Sequence, residues 1–213
     1  VEEDQLDEYG PLLLDELALD GPETRAPRWR KSEIAPERPF TVAIIGAGMS
    51  GLAAAVRLQQ AEIPFVIFER NEEVGGTWHD NIYPGCRVDV SSHFYSYSFA
   101  RGFEWPQLFS PQKVLLEYFK SCADSFGLRE QIRFGTEVTE AVFDEDAGTW
   151  TLSLQGPECQ TDAFEANVLV SGMGQLNRPN MPEIEGMDRF RGAAFHSAQW
   201  DPNVSFEGKR VAI

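Results

Sequence analysis

Apolar runs separated by glycine-rich turns dominate the pattern of hydrophobic and polar positions after residue 38. Residues 41–45 are an uninterrupted β-branched and apolar run, which is typical of a buried parallel strand. A helix is predicted over 52–61 and a second apolar strand over 64–68, so this stretch forms a strand–helix–strand unit. The same kind of buried run returns over 168–171, directly before Gly172 and Gly174.

Between these runs the period of the pattern changes. A long, irregular segment rich in aromatic residues precedes a helix predicted over 111–126. Short alternating strands are predicted over 132–155, with residues 144–148 as a turn between strands 138–143 and 149–154. This order of elements is the plan of an FAD-binding domain, because a nicotinamide-binding domain would continue alternating strands and helices. We place this domain at residues 39–175.

Residues 1–38 fall outside this domain and are predicted to be an acidic extension followed by a connector. Five leucines within 12–19 predict one short amphipathic helix, which Gly21 and Pro22 end. The Pro-rich, basic stretch 24–38 is predicted to be extended. Residues 1–23 contain nine acidic residues and no Lys or Arg, and we interpret this run as a solvated face.

Composition narrows the class of partner and the compartment. Acidic residues outnumber Lys and Arg by 34 to 18, and the resulting net charge of −16 disfavours nucleic acid and anionic membrane surfaces. No apolar run approaches the roughly 18–20 residues that span a bilayer. Cys86, Cys122 and Cys159 are an odd number of cysteines without metal-site spacing, which predicts reduced thiols, no metal centre and a cytoplasmic protein.

The segment G-A-G-M-S-G, which begins at Gly46, lies between the first strand and its helix and predicts a dinucleotide site. Gly46 permits a tight turn, Gly48 lets the backbone approach a pyrophosphate, and Gly51 lets the helix pack on the strand. The helix N-terminus offers free N–H groups to phosphates. Glu69 ends the second strand and lies 18 residues beyond Gly51, the last glycine of the turn, which is near the usual spacing of about 20 residues. It is expected to accept hydrogen bonds from the adenosine ribose.

A second motif, F-x-G-x-x-x-H-x-x-x-W-D, begins at Phe190. This spacing resembles the fingerprint of Baeyer–Villiger monooxygenases, which are class B flavoprotein monooxygenases, and the chain is similar to their 4-hydroxyacetophenone monooxygenase branch. The resemblance covers nearly the whole chain through V-A-I-I-G-A-G, V-G-G-T-W, N-x-Y-P-G-C-R-V-D, Y-S-Y-S-F and G-Q-L-N-R-P. It implies a Rossmann-like α/β FAD-binding domain with an antiparallel β-meander, in a flavoprotein with two dinucleotide-binding domains.

The resemblance also implies how the chain ends and what the protein does. Residues 176–213 would be an interdomain linker and the first strand of an NADP-binding domain, and we expect the chain to be a fragment that is inactive alone. The whole enzyme would hold FAD, oxidise NADPH, and insert one oxygen atom of O2 beside a ketone carbonyl to give an ester or lactone. The enzyme is also expected to form a homodimer. An N- or S-oxygenating flavin monooxygenase, whose fingerprint usually lacks Trp-Asp, and a non-catalytic flavin-binding module stay open as alternatives.

Site residues follow from the resemblance by motif position. The adenosine diphosphate part of FAD would be held by Gly46, Gly48, Ser50, Gly51 and Glu69, and Val138 would contact the adenine region. The flavin side would be lined by Thr77, Trp78, His79, Asp80 and Tyr95. Arg87, Val88 and Asp89 would lie beside flavin and nicotinamide together, with Asp89 as the catalytic residue that pairs with an arginine stabilising the anionic oxygenated flavin. His196 and Trp200 would couple domain closure to NADP binding.

Overall fold

The computed structural model describes residues 10, 23, 25–157 and 161–213. The predicted amphipathic helix over 12–19 and Cys159 lie outside the described residues. The connector, predicted to be extended, contains one helical turn, α1 (Lys31–Ile34). Glu33 starts this turn because its side-chain Oε2 accepts a hydrogen bond from the backbone N of Arg30 at 3.2 Å.

A four-stranded parallel sheet forms the centre of the fold. Its strands, in the order β3-β2-β1-β7 across the sheet, are β1 (Val42–Ile45), β2 (Phe65–Phe68), β3 (Ile132–Arg133) and β7 (Val168–Ser171). Helix α2 (Met49–Gln60) connects β1 to β2. The predicted strands are confirmed, and the helix begins three residues earlier than predicted because Gly48 is already its N-cap.

Two further helices and a separate antiparallel sheet complete the elements. Helix α3 (Thr77–Asp80) follows the second glycine pair, and α4 (Gln112–Ser125) confirms the helix predicted over 111–126. The antiparallel sheet contains β4 (Glu137–Asp144), β5 (Thr149–Gln155) and β6 (Thr161–Ala166) in that order. The predicted turn over 144–148 is confirmed, and the carboxylate of Asp144 accepts the backbone N–H groups of Asp146 and Ala147, both at 2.9 Å.

The parallel sheet is buried on both faces. Val42 and Ile44 belong to the core cluster that includes helices α2 and α4, whereas Ala43 belongs to a second cluster with Leu152 and Leu154 of the meander. Because neighbouring residues of a strand point to opposite faces, β1 must be apolar at every position. The predicted fold class, a Rossmann-like α/β domain with an antiparallel meander, is confirmed.

The strand expected at the end of residues 176–213 stays a prediction. Among the described residues, none pairs with residues 209–213 as a strand, and these residues belong to neither sheet. An apolar run becomes a strand only when a neighbouring strand accepts and donates its backbone hydrogen bonds. Among the described residues, no helix is long and apolar enough to cross a membrane.

Candidate functional site

The first glycine turn lies at the carboxyl end of β1 and tolerates almost no side chains. Gly46 has a φ of +93°, and a Cβ atom there would lie 2.9 Å from the carbonyl oxygen of Gly172. A Cβ on Gly51 would lie 1.9 Å from the carbonyl oxygen of Gly46. The turn and the start of α2 are therefore packed backbone against backbone.

The second glycine pair, Gly75 and Gly76, lies directly on this turn. The backbone N of Gly75 donates to the carbonyl oxygen of Ala47 at 3.0 Å. A Cβ on Gly76, whose φ is +52°, would lie 3.0 Å from the Cα of Gly48. The sequence placed the two glycine motifs in separate segments, and the structure brings them together.

These glycines meet at a topological switch point of the sheet. From β1 the chain passes through α2 to β2 on one side, while β7 pairs with β1 on the other. Gly172, directly after β7, lies against both Gly46 and Gly51. Ligands of open α/β sheets bind at such a point, outside the carboxyl ends of the strands.

The N-terminus of α2 lies at this switch point. The helix begins at Met49 with Gly48 as its N-cap, and no side chain caps it. Ser50 in the first turn is exposed. The first N–H groups of a helix have no intrahelical acceptor, and together with the helix dipole they favour an anion at this end.

Glu69 lies beside the glycine turn with 4% of its surface exposed. Its Oε2 accepts from the backbone N of Ala47 at 2.7 Å, and its Oε1 accepts from the backbone N of Asn71 at 2.8 Å. A carboxylate has about four acceptor sites, so these two bonds leave others available. Glu69 thus holds the shape of the turn in addition to its predicted role toward a ribose.

On the predicted flavin side, the structure brings Trp78 and Tyr95 together. The indole Nε1 of Trp78 donates to the Tyr95 hydroxyl at 3.1 Å, and the two rings meet edge to face at 5.7 Å. The backbone carbonyl of Trp78 also accepts from the Gln112 side chain on α4. Thr77, in the same turn of α3, is exposed.

His79 and Asp80 belong to a polar network. The Asp80 carboxylate accepts from Asn71 Nδ2 at 2.9 Å and from Arg70 Nη2 at 3.1 Å, and His79 Nδ1 lies 3.0 Å from Asp80 Oδ1. The network borders a cavity of about 420 Å³ whose lining includes Arg70, His79, Asp80, Leu176, Ala198 and Gln199. The predicted flavin side therefore shares one cavity with the fingerprint segment.

Arg87, Val88 and Asp89 follow an irregular path next to the start of α4. Val88 is buried and its backbone N donates to the carbonyl oxygen of Ser110 at 3.1 Å. Arg87 and Asp89 on either side are exposed. Within the part of the chain that the structure describes, the Asp89 carboxylate makes no hydrogen bond or ion pair. Val138 lies apart from these residues, half-buried on β4 against the meander core.

The fingerprint segment is organised by a cap and an aromatic cluster. His196 Nδ1 accepts from the backbone N of Ala198 at 3.1 Å and caps the 3₁₀ turn Ser197–Gln199. Trp200 packs on Phe195 at 5.2 Å and on Phe206 at 5.1 Å. His196 therefore caps a turn of its own segment, and Trp200 packs this segment together.

Two residues near the site were missed by sequence reasoning. The Tyr97 hydroxyl donates to the carbonyl oxygen of Met49 at 2.6 Å. Glu73, two residues before the second glycine pair, accepts from Arg129 Nη1 at 2.8 Å. The acid in N-E-E-V-G-G and the repeated tyrosine in Y-S-Y-S-F were visible signals, but neither indicates its partner.

Comparison with known proteins gives consistent matches. The family model for flavin-binding monooxygenase-like proteins matches residues 40–213. A Baeyer–Villiger monooxygenase of Streptomyces coelicolor is 46% identical over 173 residues, which are 81% of this chain and 32% of that protein. A Baeyer–Villiger monooxygenase of Pseudomonas aeruginosa is 43% identical over 180 residues, 84% and 33% of the two chains. This chain thus spans about a third of the length of these relatives.

Solved structures show the same likeness. An oxidised steroid monooxygenase bound to NADP is 38% identical with a TM-score of 0.70, over 79% of this chain and 33% of that one. OTEMO in complex with FAD and NADP is 36% identical with a TM-score of 0.68, over 76% and 30%. Closed cyclohexanone monooxygenase is 32% identical with a TM-score of 0.70, over 79% and 32%.

Proposed function

We propose that this chain, which belongs to the flavin-binding monooxygenase-like family, supplies the FAD-binding domain of a Baeyer–Villiger monooxygenase. The whole protein would use FAD and NADPH to insert one oxygen atom of O2 beside a ketone carbonyl. The observation that carries the proposal is the convergence of three glycine segments at the switch point between β1 and β7. The division into residues 1–38, 39–175 and 176–213, a cytoplasmic location and a homodimer remain predictions.

The glycine turn fits the pyrophosphate of FAD. Gly48 and Gly76 face each other with no side chain between them, and the uncapped N-terminus of α2 adds N–H donors. Gly46 and Gly51 hold the turn, Ser50 stands exposed at its edge, and Glu69 lies beside it for the ribose. Val138 would contact the adenine region.

Residues on the opposite side of the second glycine pair would hold and shield the flavin ring. FAD, when bound, supplies the redox chemistry with O2 that no side chain of this chain provides. Trp78 and Tyr95 would form a wall in which the indole N–H already has its acceptor, so no water is needed to satisfy it. Thr77, His79 and Asp80 would complete this side, and the cavity next to Asp80 leaves room for a ligand.

Asp89 is the residue we propose to act in catalysis. Its exposed carboxylate has no partner in the described part of the chain, so it is free to pair with an arginine supplied by the rest of the protein. The hydrogen bond from Val88 to Ser110 fixes the backbone next to it. A carboxylate held in this way would orient the arginine toward developing negative charge. Arg87 and Val88 would border flavin and nicotinamide, and His196 and Trp200 would hold the linker that closes on NADP.

Two observations favour ketone oxidation over N- or S-oxygenation. The relatives at 46% and 43% identity are named Baeyer–Villiger monooxygenases. The fingerprint of this chain also ends in Trp200 and Asp201, and Trp200 packs into the aromatic cluster rather than lying free.

The test uses the complete protein that contains this chain. We expect it to purify with FAD and to oxidise NADPH in response to one of a panel of aryl, cyclic and aliphatic ketones. Mass spectrometry should detect an ester or lactone with one oxygen atom from labelled O2. Oxygenation of amines or sulfides alone would favour the N- or S-oxygenating alternative, and bound FAD without NADPH oxidation would favour a non-catalytic module. The 213-residue chain alone is expected to be inactive in the same assay.

A further inference from the structure

Residues 95–99 form a loop that we call the aromatic loop. Its middle residue, Tyr97, lies at the centre of a buried aromatic cluster. Its side chain is 7% exposed. The ring stacks on Phe99 at 4.6 Å and contacts Tyr118 and Phe119 at 5.8 Å each. A residue packed on three sides by rings has little freedom to move, so its polar atoms have fixed positions.

The hydroxyl and the backbone N–H of Tyr97 both form short hydrogen bonds. The hydroxyl donates to the carbonyl oxygen of Met49 at 2.6 Å, and the backbone N donates to the Tyr118 hydroxyl at 2.7 Å. Burial, together with Cys122, Tyr118 and Tyr95 nearby, raises the pKa of Tyr97 well above its ordinary value. The hydroxyl therefore keeps its proton and remains a donor across the working pH range of a protein.

The acceptor of this bond lies in the first turn of α2. Met49 is the first residue of the helix, directly after Gly48. In a regular helix this carbonyl oxygen also accepts a hydrogen bond from the backbone N–H four residues later. A carbonyl oxygen has two lone pairs, so it can accept both bonds. The Tyr97 hydroxyl thus adds a second bond to the backbone that would face the pyrophosphate.

The same loop is tied to the flavin side two residues earlier. The Tyr95 hydroxyl accepts from Trp78 Nε1, and Trp78 belongs to the turn that follows Gly76. Tyr95 and Tyr97 therefore connect the two glycine motifs through one short piece of backbone.

We propose that Tyr97 is a positioning residue for FAD, which fixes the aromatic loop, and with it Tyr95 and Trp78, at a set place relative to the phosphate-binding turn. The proposal rests on the proposed function, because it assumes that FAD occupies both motifs. A ligand that contacts two motifs at once binds more tightly when their relative position is fixed beforehand, since less order must be created on binding.

The test compares Tyr97→Phe with the wild type in the complete protein. The substitution keeps the ring and its packing and removes only the bond to Met49. We expect the Kd of FAD for the apoprotein to rise about threefold to tenfold, the effect of one lost neutral hydrogen bond. The visible circular dichroism of bound FAD should change as well, because the wall next to the flavin would no longer be held in place.

Tyr118→Phe is the matched control. It removes a second buried hydroxyl from the same cluster, one that ties the backbone at Tyr97 and Ala100 to α4 and leaves the bond from the loop to the phosphate-binding turn intact. We expect it to lower the melting temperature of the apoprotein at least as much as Tyr97→Phe while changing the Kd of FAD less than about twofold.

The outcomes separate the two levels of inference. A wild-type protein that binds no FAD overturns the proposed function itself. If the wild type binds FAD and Tyr97→Phe has the same Kd and dichroism, Tyr97 has no positioning role. Equal losses of FAD affinity in both variants, in proportion to their losses of stability, would also overturn the proposal, because the hydroxyl would then act only on the fold.

Discussion

At the glycine turn, a single Cβ atom decides between a folding defect and a binding defect. A Cβ on Gly51 would lie 1.9 Å from a backbone oxygen, whereas a Cβ on Gly48 would lie 3.5 Å from the Cα of Gly76, an ordinary contact. Gly48 also has a φ of −81°, which any residue can adopt. The two glycines of one motif therefore serve different purposes.

We expect Gly48→Ala to leave the stability of the apoprotein nearly unchanged and to weaken FAD binding, because its methyl group would occupy the approach to the pyrophosphate. Gly51→Ala should destabilise the domain by about 1–3 kcal/mol or more through overpacking. Thermal unfolding of the apoproteins and FAD titration measure the two effects. A stable Gly51→Ala variant with wild-type FAD affinity would contradict the contact geometry.

Glu69→Ala should both weaken FAD retention and destabilise the apoprotein. The backbone N–H of Ala47 would lose its buried acceptor, which costs about 1–3 kcal/mol. Loss of the expected charge-assisted bond to the ribose would cost a further amount of about 1.5–3 kcal/mol in binding. Bound flavin and unfolding in urea report the two parts. Unchanged FAD affinity would remove Glu69 from the site and leave it only its role in the turn.

At the scale of elements, ion pairs hold the second glycine pair in place. Glu73 accepts from Arg129 at 2.8 Å and lies 3.5 Å from Lys120 on α4, and Arg129 also bonds to Asp124. Burial alone would raise the pKa of Glu73, but the hydrogen bond from Arg129 and the nearby cations outweigh it and lower the pKa. The segment before Gly75 is thus fastened to the end of α4.

Glu73→Gln should reduce stability at neutral pH and leave it unchanged in acid. Since the folded-state pKa is below the ordinary value of 4.5, the contribution is complete above that pH and disappears as pH falls through the folded-state value. The pairs are partly exposed, so we expect a difference of about 1 kcal/mol or less at pH 7. The free energy of unfolding of both proteins, measured from pH 3 to pH 7 in steps of about one pH unit, tests this expectation. A difference that does not shrink as the pH falls from 7 to 3 would contradict this assignment.

His196→Ala should impair NADPH-dependent turnover more than FAD binding, because His196 caps the linker turn and does not touch the glycine motifs. Loss of a cap costs about 1 kcal/mol, so kcat/KM for NADPH should fall about fivefold. Asparagine is also a good N-cap, and His196→Asn should recover most of the loss. If Asn is no better than Ala, the imidazole has a role beyond the cap.

At the scale of the whole molecule, the last residue of the acidic run 1–23, which was predicted to be a solvated face, packs against the family domain. Glu23 pairs with Arg57 on α2 and accepts from Ser98 of the aromatic loop at 3.0 Å, and Arg57 lies over the Phe99 ring at 4.8 Å. The side-chain hydrogen bond from Arg57 lowers the pKa of Glu23 despite its partial burial. Of these residues, Glu23 precedes the region that the family model matches, residues 40–213.

Asp89→Ala in the complete protein should slow flavin reduction by NADPH and increase hydrogen peroxide release, while stability stays within about 0.5 kcal/mol because the side chain is exposed. Glu140→Ala, which removes an exposed acid from β4, is the control and should change neither quantity. Stopped-flow traces that match the wild type in both half-reactions would show that the role does not belong to Asp89.

The sequence by itself determined the local elements and the order in which they follow. The apolar runs and the G-A-G-M-S-G turn were sufficient for β1, β2, β7, α2 and α4, since a buried strand and a phosphate turn each leave a mark in consecutive residues. β6 was not predicted, because only Phe164 and Ala166 of its six residues face the core and a period of two is hard to see in so short a run. The strand expected at the end of residues 176–213 stays a prediction, because strand pairing depends on a neighbouring strand.

Only the tertiary structure decided which distant residues meet. Three contacts join segments that are separate in the sequence: Gly75 with Ala47, Trp78 with Tyr95, and Tyr97 with Met49. From the sequence alone, other tyrosines or glycines could have made these contacts. Motif spacing indicated that a residue such as Asp80 or His196 matters, but it could not show that one lies in an ion network and the other caps a turn. Such contacts depend on packing of the whole chain, because a side chain's partners are fixed by the fold rather than by its neighbours in sequence.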